Sequence, residues 1–208
     1  MTTVLETLGR PPFDPLRSAS LRDLSIKTVF LLSAHRRSAI HALYLRQGHI
    51  NFESNGVWLV PDPSFLAKNQ TIDFLPNPIF IPTRSSFSDT EEDKVWCPVR
   101  CLKAYLKATQ SLGGSSTTLF ISMNKPHAPV SRDTISRWIT LAITADPSAI
   151  LRGEKATAHQ VHTMASFGHG SMEDSHHFRS CLFEGHSVSR RLPRSFRSRQ
   201  ELETVTDR

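Results

Sequence analysis

The chain has 208 residues, of which 38% are hydrophobic and 21% are charged, and its net charge is +6 at neutral pH. This length can bury one hydrophobic core, so we expect a single domain with an irregular appendage. The apolar runs, such as residues 29–32, are far shorter than the roughly 20 residues of a membrane-spanning helix. The first 15 residues show no basic-then-apolar leader pattern, so the sequence predicts an intracellular protein, nuclear or cytoplasmic.

The positive charge has two interpretations. A basic protein attracts polyanions by Coulomb forces and by release of counterions, which favours nucleic acid as the partner. Alternatively, much of the excess lies in a solvated stretch of the tail, residues 179–199, where Glu184 is the one acid beside six arginines: Arg179, Arg190, Arg191, Arg194, Arg197 and Arg199.

The first predicted elements are helical. Residues 1–19 contain Pro11 and Pro15 and are predicted to be an irregular lead-in. A helix should follow, with Ser18 or Ser20 as its cap. The residues expected on its buried face recur at steps of three and four positions: Leu21, Leu24, Thr28 and Leu31. A second short helix should begin near Arg37 and include Leu43 and Tyr44, which places Arg36 at a junction between helices.

Extended chain is predicted next. Residues 49–60 alternate around Asn55-Gly56, which indicates a β-hairpin because both turn positions tolerate positive φ. Prolines punctuate the following segment, and residues 79–81 are its plausible strand. The polar and acidic run over residues 85–94 is predicted to be a solvated loop.

The remaining predicted elements alternate between helix and short bridge. Pro98 suits the first position of a helix whose apolar stripe is Val99, Leu102, Tyr105 and Leu106. Residues 118–121 should form a short strand or bridge. Ser131 should cap a helix with Asp133 near its positive end, and this helix buries Ile135, Trp138, Ile139, Ala142 and Ile143. Another helical piece is expected over residues 157–164.

The character of the sequence changes at about residue 167. Lysine is absent after Lys155, and serine, histidine and arginine dominate the following segment without apolar periodicity. Such a segment cannot bury enough surface to offset its chain entropy. We therefore expect a disordered tail over residues 167–208 and, before it, a mainly α domain with a small β-hairpin sheet, in the α+β class.

Seven runs, in this order and spacing, resemble the tyrosine recombinase encoded by DIRS-like and Ngaro-like retrotransposons. They are Leu24-Ser25-Ile26-Lys27-Thr28, His41-Ala42-Leu43, Phe65-Leu66-Ala67-Lys68, Cys97-Pro98-Val99-Arg100, Lys103-Ala104-Tyr105-Leu106, Thr134-Ile135-Ser136-Arg137-Trp138-Ile139 and Met164-Ala165-Ser166.

The resemblance implies a phage-integrase-like catalytic domain over residues 20–166, incomplete at its C-terminal end. In such enzymes a tyrosine attacks a phosphate of double-stranded DNA and forms a covalent link, so the reaction needs no metal and no cofactor. Two arginines hold the non-bridging phosphate oxygens, while a lysine on the hairpin and a histidine handle protons.

The first family position falls on Arg36, with its neighbour Arg37 as the lesser alternative. In the family an acidic residue follows this arginine two or three places later, and Ala39 stands there instead. The orienting carboxylate is therefore missing. Without the resemblance, an arginine at a helix junction would be an ordinary surface residue.

The other family positions are also altered or ambiguous. Lys68 matches the hairpin lysine, although a solvated loop lysine is an equally good interpretation. His159 matches the first residue of the His-x-x-Arg motif, and His162 occupies the arginine position. Imidazole has at most two donors and is largely neutral at pH 7, so His162 should support catalysis poorly.

The resemblance provides no nucleophile. In the family the attacking tyrosine follows the His-x-x-Arg helix, whereas Tyr44 and Tyr105 both precede it and are predicted to lie on core faces of helices. A reading-frame shift after residues 170–174 would explain why the resemblance ends there. The sequence thus predicts a DNA-binding remnant of a recombinase, monomeric and without strand-exchange activity, which holds DNA through Arg36, Arg37, Lys68 and Arg137.

Alternative interpretations are a nonspecific DNA-binding or interaction protein and a non-functional relic. A metal site is a further alternative, but Cys97 and Cys101 have no second cysteine pair and are better explained as packing residues. The remaining candidates fit no tetrahedral template: His159, His162, His169, His176, His177, Cys181 and His186. We therefore predict no metal site.

Overall fold

The computed structural model of the chain describes residues 8, 13, 20–33, 35–66, 77–83, 91–114 and 116–145. The helix predicted over residues 157–164 and the tail predicted over residues 167–208 lie outside them, as does the region around Lys68.

Helix α1, Leu21–Leu31, is the central element of the fold. The side chain of Ser20 accepts a hydrogen bond from the backbone N–H of Asp23 at 3.2 Å, which confirms the predicted cap. The predicted apolar stripe was too narrow, because every residue from position 23 to position 31 is buried. A helix enclosed on all sides needs no polar face, and α1 packs against two other helices described below.

Polar side chains within α1 are accommodated inside the core. The hydroxyls of Ser25 and Thr28 donate to the carbonyls of Leu21 and Leu24, each at 2.7 Å. Such bonds to the preceding turn satisfy a hydroxyl that cannot reach water. Lys27 is also fully buried, and its Nζ lies 5.1 Å from the centroid of the Trp96 ring. A cation over an aromatic face recovers part of the cost of removing the charge from water.

A short helix and a small sheet follow α1. Helix α2, Arg37–His41, begins where the sequence predicts but ends before Leu43 and Tyr44, which form isolated bridges to Pro61 and Thr118.

Strands β1, Ile50–Glu53, β2, Gly56–Leu59, and β3, Ile79–Pro82, form an antiparallel sheet in the order β1-β2-β3. The hairpin prediction is confirmed with a shift of one residue. Glu53 pairs with Gly56, so the turn consists of Ser54 and Asn55.

Three helices complete the described fold. Helix α3, Glu91–Trp96, occupies part of the segment that was predicted to be a solvated loop, so that prediction was wrong for these residues. Helix α4, Pro98–Thr109, begins at its proline as predicted. Helix α5, Arg132–Thr144, is capped by Ser131 and buries the five predicted residues. The bridges of Thr118 to Tyr44 and of Ile121 to Pro129 confirm the expected short bridge before it.

The core lies where α1 meets α4 and α5, and β3 joins it from the side of α4. Leu8, in the segment predicted to be an irregular lead-in, is fully buried in this core, and Phe13 packs against it. The described residues thus form five helices and one three-stranded antiparallel sheet, in agreement with a mixed and mainly helical class. None of the helices in this part of the chain has the length and apolar character that a bilayer crossing requires.

Gly56 provides a test of the sheet packing. A Cβ at this position would lie 2.6 Å from Cζ of Phe80 and would collide with the carbonyl oxygen of Ile81. We expect Gly56→Ala to lower the free energy of unfolding by about 1–3 kcal/mol, because β3 must move away from β2. Denaturant unfolding measures this change.

Gly113 serves as the matched control, because a Cβ there meets no atom within 4 Å. Gly113→Ala should change the free energy of unfolding by less than about 0.5 kcal/mol. Equal effects of the two substitutions would contradict the close approach of β3 to Gly56.

Candidate nucleic-acid interface

The connection between α1 and α2 is held by short local hydrogen bonds. The hydroxyl of Ser33 donates to the carbonyl of Phe30 at 2.6 Å, and the backbone N–H of His35 donates to the carbonyl of Leu32 at 3.0 Å. Arg36 then adopts an extended conformation, and its carbonyl accepts from the backbone N–H of Ile40 at 3.1 Å. The backbone at Arg36 is therefore fixed on both sides, although its side chain is exposed.

Arg37 connects α2 to α5. Its Nη1 donates to Oγ of Ser136 at 2.9 Å and lies 3.9 Å from Oδ1 of Asp133. The hydroxyl of Ser136 in turn donates to the carbonyl of Arg132 at 3.2 Å. Arg37 and Asp133 are largely exposed, with side-chain exposures of 57% and 88%, so water screens their attraction. The contact therefore contributes little to the free energy of unfolding, although it joins α2 to α5 at this point.

His41 lies at the end of α2, near the first residue of α5. The pKa of His41 is lowered from its ordinary value, mainly because the side chain is partly buried and also because Arg132 lies nearby. A hydrogen bond to the backbone of Val130 acts in the opposite direction. His41 is therefore largely neutral at pH 7, and it adds a hydrogen-bonding ring beside a permanent positive charge.

These side chains form what we call the junction surface, defined as Arg36, Arg37, His41, Arg132 and Arg137. The four arginines are exposed, and Arg137 directly follows Ser136, the partner of Arg37. The acid in contact with the surface is Asp133. Guanidinium groups bind phosphate oxygens through paired, charge-assisted hydrogen bonds, so this arrangement suits an anionic polymer.

Ala39 leaves Arg36 without a neighbouring carboxylate. The Arg36 guanidinium makes no hydrogen bond or ion pair with any residue in the described part of the chain. Its side chain is thus available to an external anion, which would displace no partner of Arg36 within this part of the chain.

The predicted site residues fall into two groups. Arg36, Arg37 and Arg137 are described, and the contact of Arg37 with Ser136 brings the two segments that carry them together. Lys68, His159 and His162 lie outside the described residues, so their predicted roles stay predictions.

The sequence analysis did not select His41 or Arg132. A signal for both existed, since His41 lies in a run that resembles the family and Arg132 begins a predicted helix. Their proximity depends on how α2 packs against α5, which no local pattern reveals.

Tyr105 is a structural residue. Its hydroxyl donates to the carbonyl of Leu119 at 3.3 Å and accepts from the backbone N–H of Ile121 at 3.1 Å. The side chain is fully buried, and burial raises the pKa of Tyr105 to about 12. A phenol that is protonated and enclosed in this way cannot attack a phosphate.

Tyr44 does not lie in a helix core, contrary to the prediction. It forms a bridge with Thr118 and is half-buried. The guanidinium of Arg46 lies 5.2 Å from the centroid of its ring. The pKa of Asp62 is lowered chiefly by a hydrogen bond from Ser64 and also by one from Tyr44, whereas burial acts in the opposite direction. Tyr44 is thus a half-buried residue beside Arg46, and it precedes the position at which the resemblance implies the nucleophile.

The two described cysteines are packing residues, as the sequence predicts. Cys97 and Cys101 are free and buried, and their Sγ atoms lie 3.3 Å and 3.2 Å from the hydroxyls of Thr83 and Thr28. Burial raises the pKa of Cys101 to about 11, so its thiol stays protonated. Within the described ranges, no three His, Cys, Asp or Glu side chains come together as metal ligands would. The histidines considered as metal ligands lie outside those ranges.

Comparisons of the chain with protein-family models, with curated proteins and with solved structures found no match. The resemblance to a tyrosine recombinase therefore depends on the residue runs alone.

Removing the Tyr105 hydroxyl should destabilise the fold. In Tyr105→Phe the buried N–H of Ile121 and the carbonyl of Leu119 lose their partner. We expect the free energy of unfolding to fall by about 1–3 kcal/mol. Tyr44→Phe is the matched control and should cost less than about 1 kcal/mol, because water can replace its hydroxyl at Asp62. Thermal or denaturant unfolding of both variants measures the difference, and a larger loss for Tyr44→Phe would contradict the structural role of Tyr105.

Proposed function

We propose that this protein is a DNA-binding domain derived from a tyrosine recombinase of the DIRS-like and Ngaro-like type, without strand-exchange activity. The observation that carries the proposal is the exposed Arg36 at the α1–α2 junction, next to an arginine that contacts α5. Arg36 is also the position that matches the phosphate-binding arginine of the family. The mainly helical fold with a small sheet is consistent with this origin.

The charge distribution supports binding to the DNA backbone more than to specific bases. Four exposed arginines and one contacting acid leave the junction surface positive. Contacts between arginine and phosphate depend on charge and geometry but carry no sequence information. The domain should therefore bind duplexes of different sequence with similar affinity.

The loss of catalysis is supported by the state of the two tyrosines in the sequence. Tyr105 is fully buried and its hydroxyl has a donor and an acceptor in the backbone, while Tyr44 is half-buried and forms a bridge with Thr118. Neither lies beyond the His159 motif, where the resemblance implies the nucleophile, and His162 replaces an arginine there. A geometry that does not bring a nucleophile to the phosphate loses most of the rate enhancement of such enzymes.

Salt dependence tests the binding proposal. If three of the four arginines of the junction surface each contact one phosphate, the affinity for duplex DNA should fall by about 40-fold between 50 mM and 200 mM salt. Fluorescence anisotropy of a labelled duplex measures the binding constant at each salt concentration. Absence of binding at 50 mM salt would contradict the proposed function.

The role of Arg36 is tested against an equally exposed arginine. Arg36→Ala should lower the slope of log affinity against log salt by about 0.9, the value for one lost phosphate contact. Arg22 is exposed and lies near the opposite end of α1, roughly 15 Å away along the helix axis, so Arg22→Ala should leave the slope unchanged. Equal slopes for the two variants would argue against the junction surface.

A nicked suicide duplex tests the proposed loss of chemistry. An active recombinase becomes trapped on such a substrate as a covalent adduct, whereas this protein should bind it and remain separable by denaturing gel electrophoresis. Recovery of a covalent adduct would contradict the loss of activity and would leave the DNA-binding proposal intact.

A further inference from the structure

We infer that the two adjacent arginines of the junction surface have different roles: Arg36 contacts the DNA phosphate, and Arg37 is a positioning residue that fixes α2 to α5. This inference rests on the proposed function, since it divides the binding task within that surface. The division follows from what each guanidinium touches in the protein.

Arg37 is engaged from the side of α5. Its Nη1 donates to Oγ of Ser136 at 2.9 Å, across 99 positions of the sequence. The direction of this bond is set because a guanidinium can only donate, and the Ser136 hydroxyl directs its own proton to the carbonyl of Arg132. Its oxygen is therefore free to accept from Arg37. Because α2 has only five residues, a contact that joins it to a longer helix limits its movement.

Arg37 is also poorly suited to phosphate. Oδ1 of Asp133 lies 3.9 Å from its Nη1, so the local charge of this pair is close to zero. An approaching phosphate meets the carboxylate as well as the guanidinium, and Asp133 is 88% exposed on that surface. Attraction to Arg37 is then largely offset by repulsion from Asp133.

Arg36 has the opposite properties. Its backbone is fixed, because its carbonyl accepts from the N–H groups of Ala39 at 2.9 Å and Ile40 at 3.1 Å. Its guanidinium has no hydrogen-bond or ion-pair partner among the residues that the structure describes. A full positive charge on a rigid backbone releases counterions when it meets phosphate. Arg36 should therefore determine the salt dependence, while Arg37 determines how steadily Arg36 is held.

Four variants separate these roles in a salt titration against a labelled duplex. Arg36→Ala should lower the salt slope by about 0.9. Arg37→Ala combined with Asp133→Asn, which leaves no unpaired carboxylate, and Ser136→Ala should each keep the slope and weaken binding by the same factor at every salt concentration, about two- to fivefold, as expected for loss of one exposed contact. Ser136→Thr retains a hydroxyl and should restore the affinity.

Hydrogen exchange provides a readout that does not require DNA. Loss of the contact should speed amide exchange at Ile40 and Ala42, whose N–H groups close α2, in Arg37→Ala and in Ser136→Ala. Arg36→Ala should leave this exchange unchanged. Ser136→Ala keeps the test valid if Arg37→Ala folds poorly.

The outcomes distinguish failure of the inference from failure of the proposed function. If Arg37→Ala combined with Asp133→Asn lowers the salt slope as much as Arg36→Ala does, Arg37 is a phosphate ligand, and the inference is wrong while DNA binding stands. If the unmodified protein binds no DNA, the proposed function is wrong. Unchanged exchange in α2 after loss of the Arg37 contact would overturn the positioning role in either case.

Discussion

The enclosure of α1 between α4 and α5 is the constraint on which the described structure depends. A helix that is buried on every side cannot shift without exposing apolar surface to several neighbours at once. Its few polar side chains fit because Ser25 and Thr28 bond to their own helix and because the Lys27 ammonium lies over Trp96. The end of α1 is therefore fixed in space, and so is the chain that leaves it.

The junction surface follows from this constraint. α1 packs on α5, and the tight turn at Ser33 directs the chain into a short second helix that also packs on α5. Arginines that are neighbours in sequence then face different surroundings, one towards solvent and one towards Ser136. A difference of one position changes the electrostatic environment of a guanidinium because an exposed acid lies on one side only.

Much of the architecture could be predicted because its signals are local. Ser20 and Ser131 cap helices, Pro98 begins one, and the stripes of α4 and α5 have regular helical spacing. The prediction was wrong for α3, whose acidic and polar composition is also typical of a loop. It was shifted by one residue at the hairpin, because Gly56 is required for the close approach of β3 and not for the turn.

The candidate site was predictable only in part, because much of it depends on contacts between residues that are far apart in the sequence. The resemblance identifies Arg36 as a candidate site residue, with its neighbour Arg37 as the lesser alternative. The partnership of Arg37 with Ser136 joins residues 99 positions apart, and the proximity of His41 to Arg132 depends on helix packing. Such contacts have no periodic signature. Lys68, His159 and His162 carry the rest of the resemblance and lie outside the described residues.

The two buried thiols can report how often the core of the fold opens. Cys97 directly precedes α4 as its N-terminal cap, Cys101 lies in the first turn, and the hydroxyl of Thr28 on α1 touches Cys101. A sulfur in this position meets a reagent from solution only when those two helices separate. The rate at which an alkylating compound labels Cys101 would therefore report how often the centre of the molecule opens.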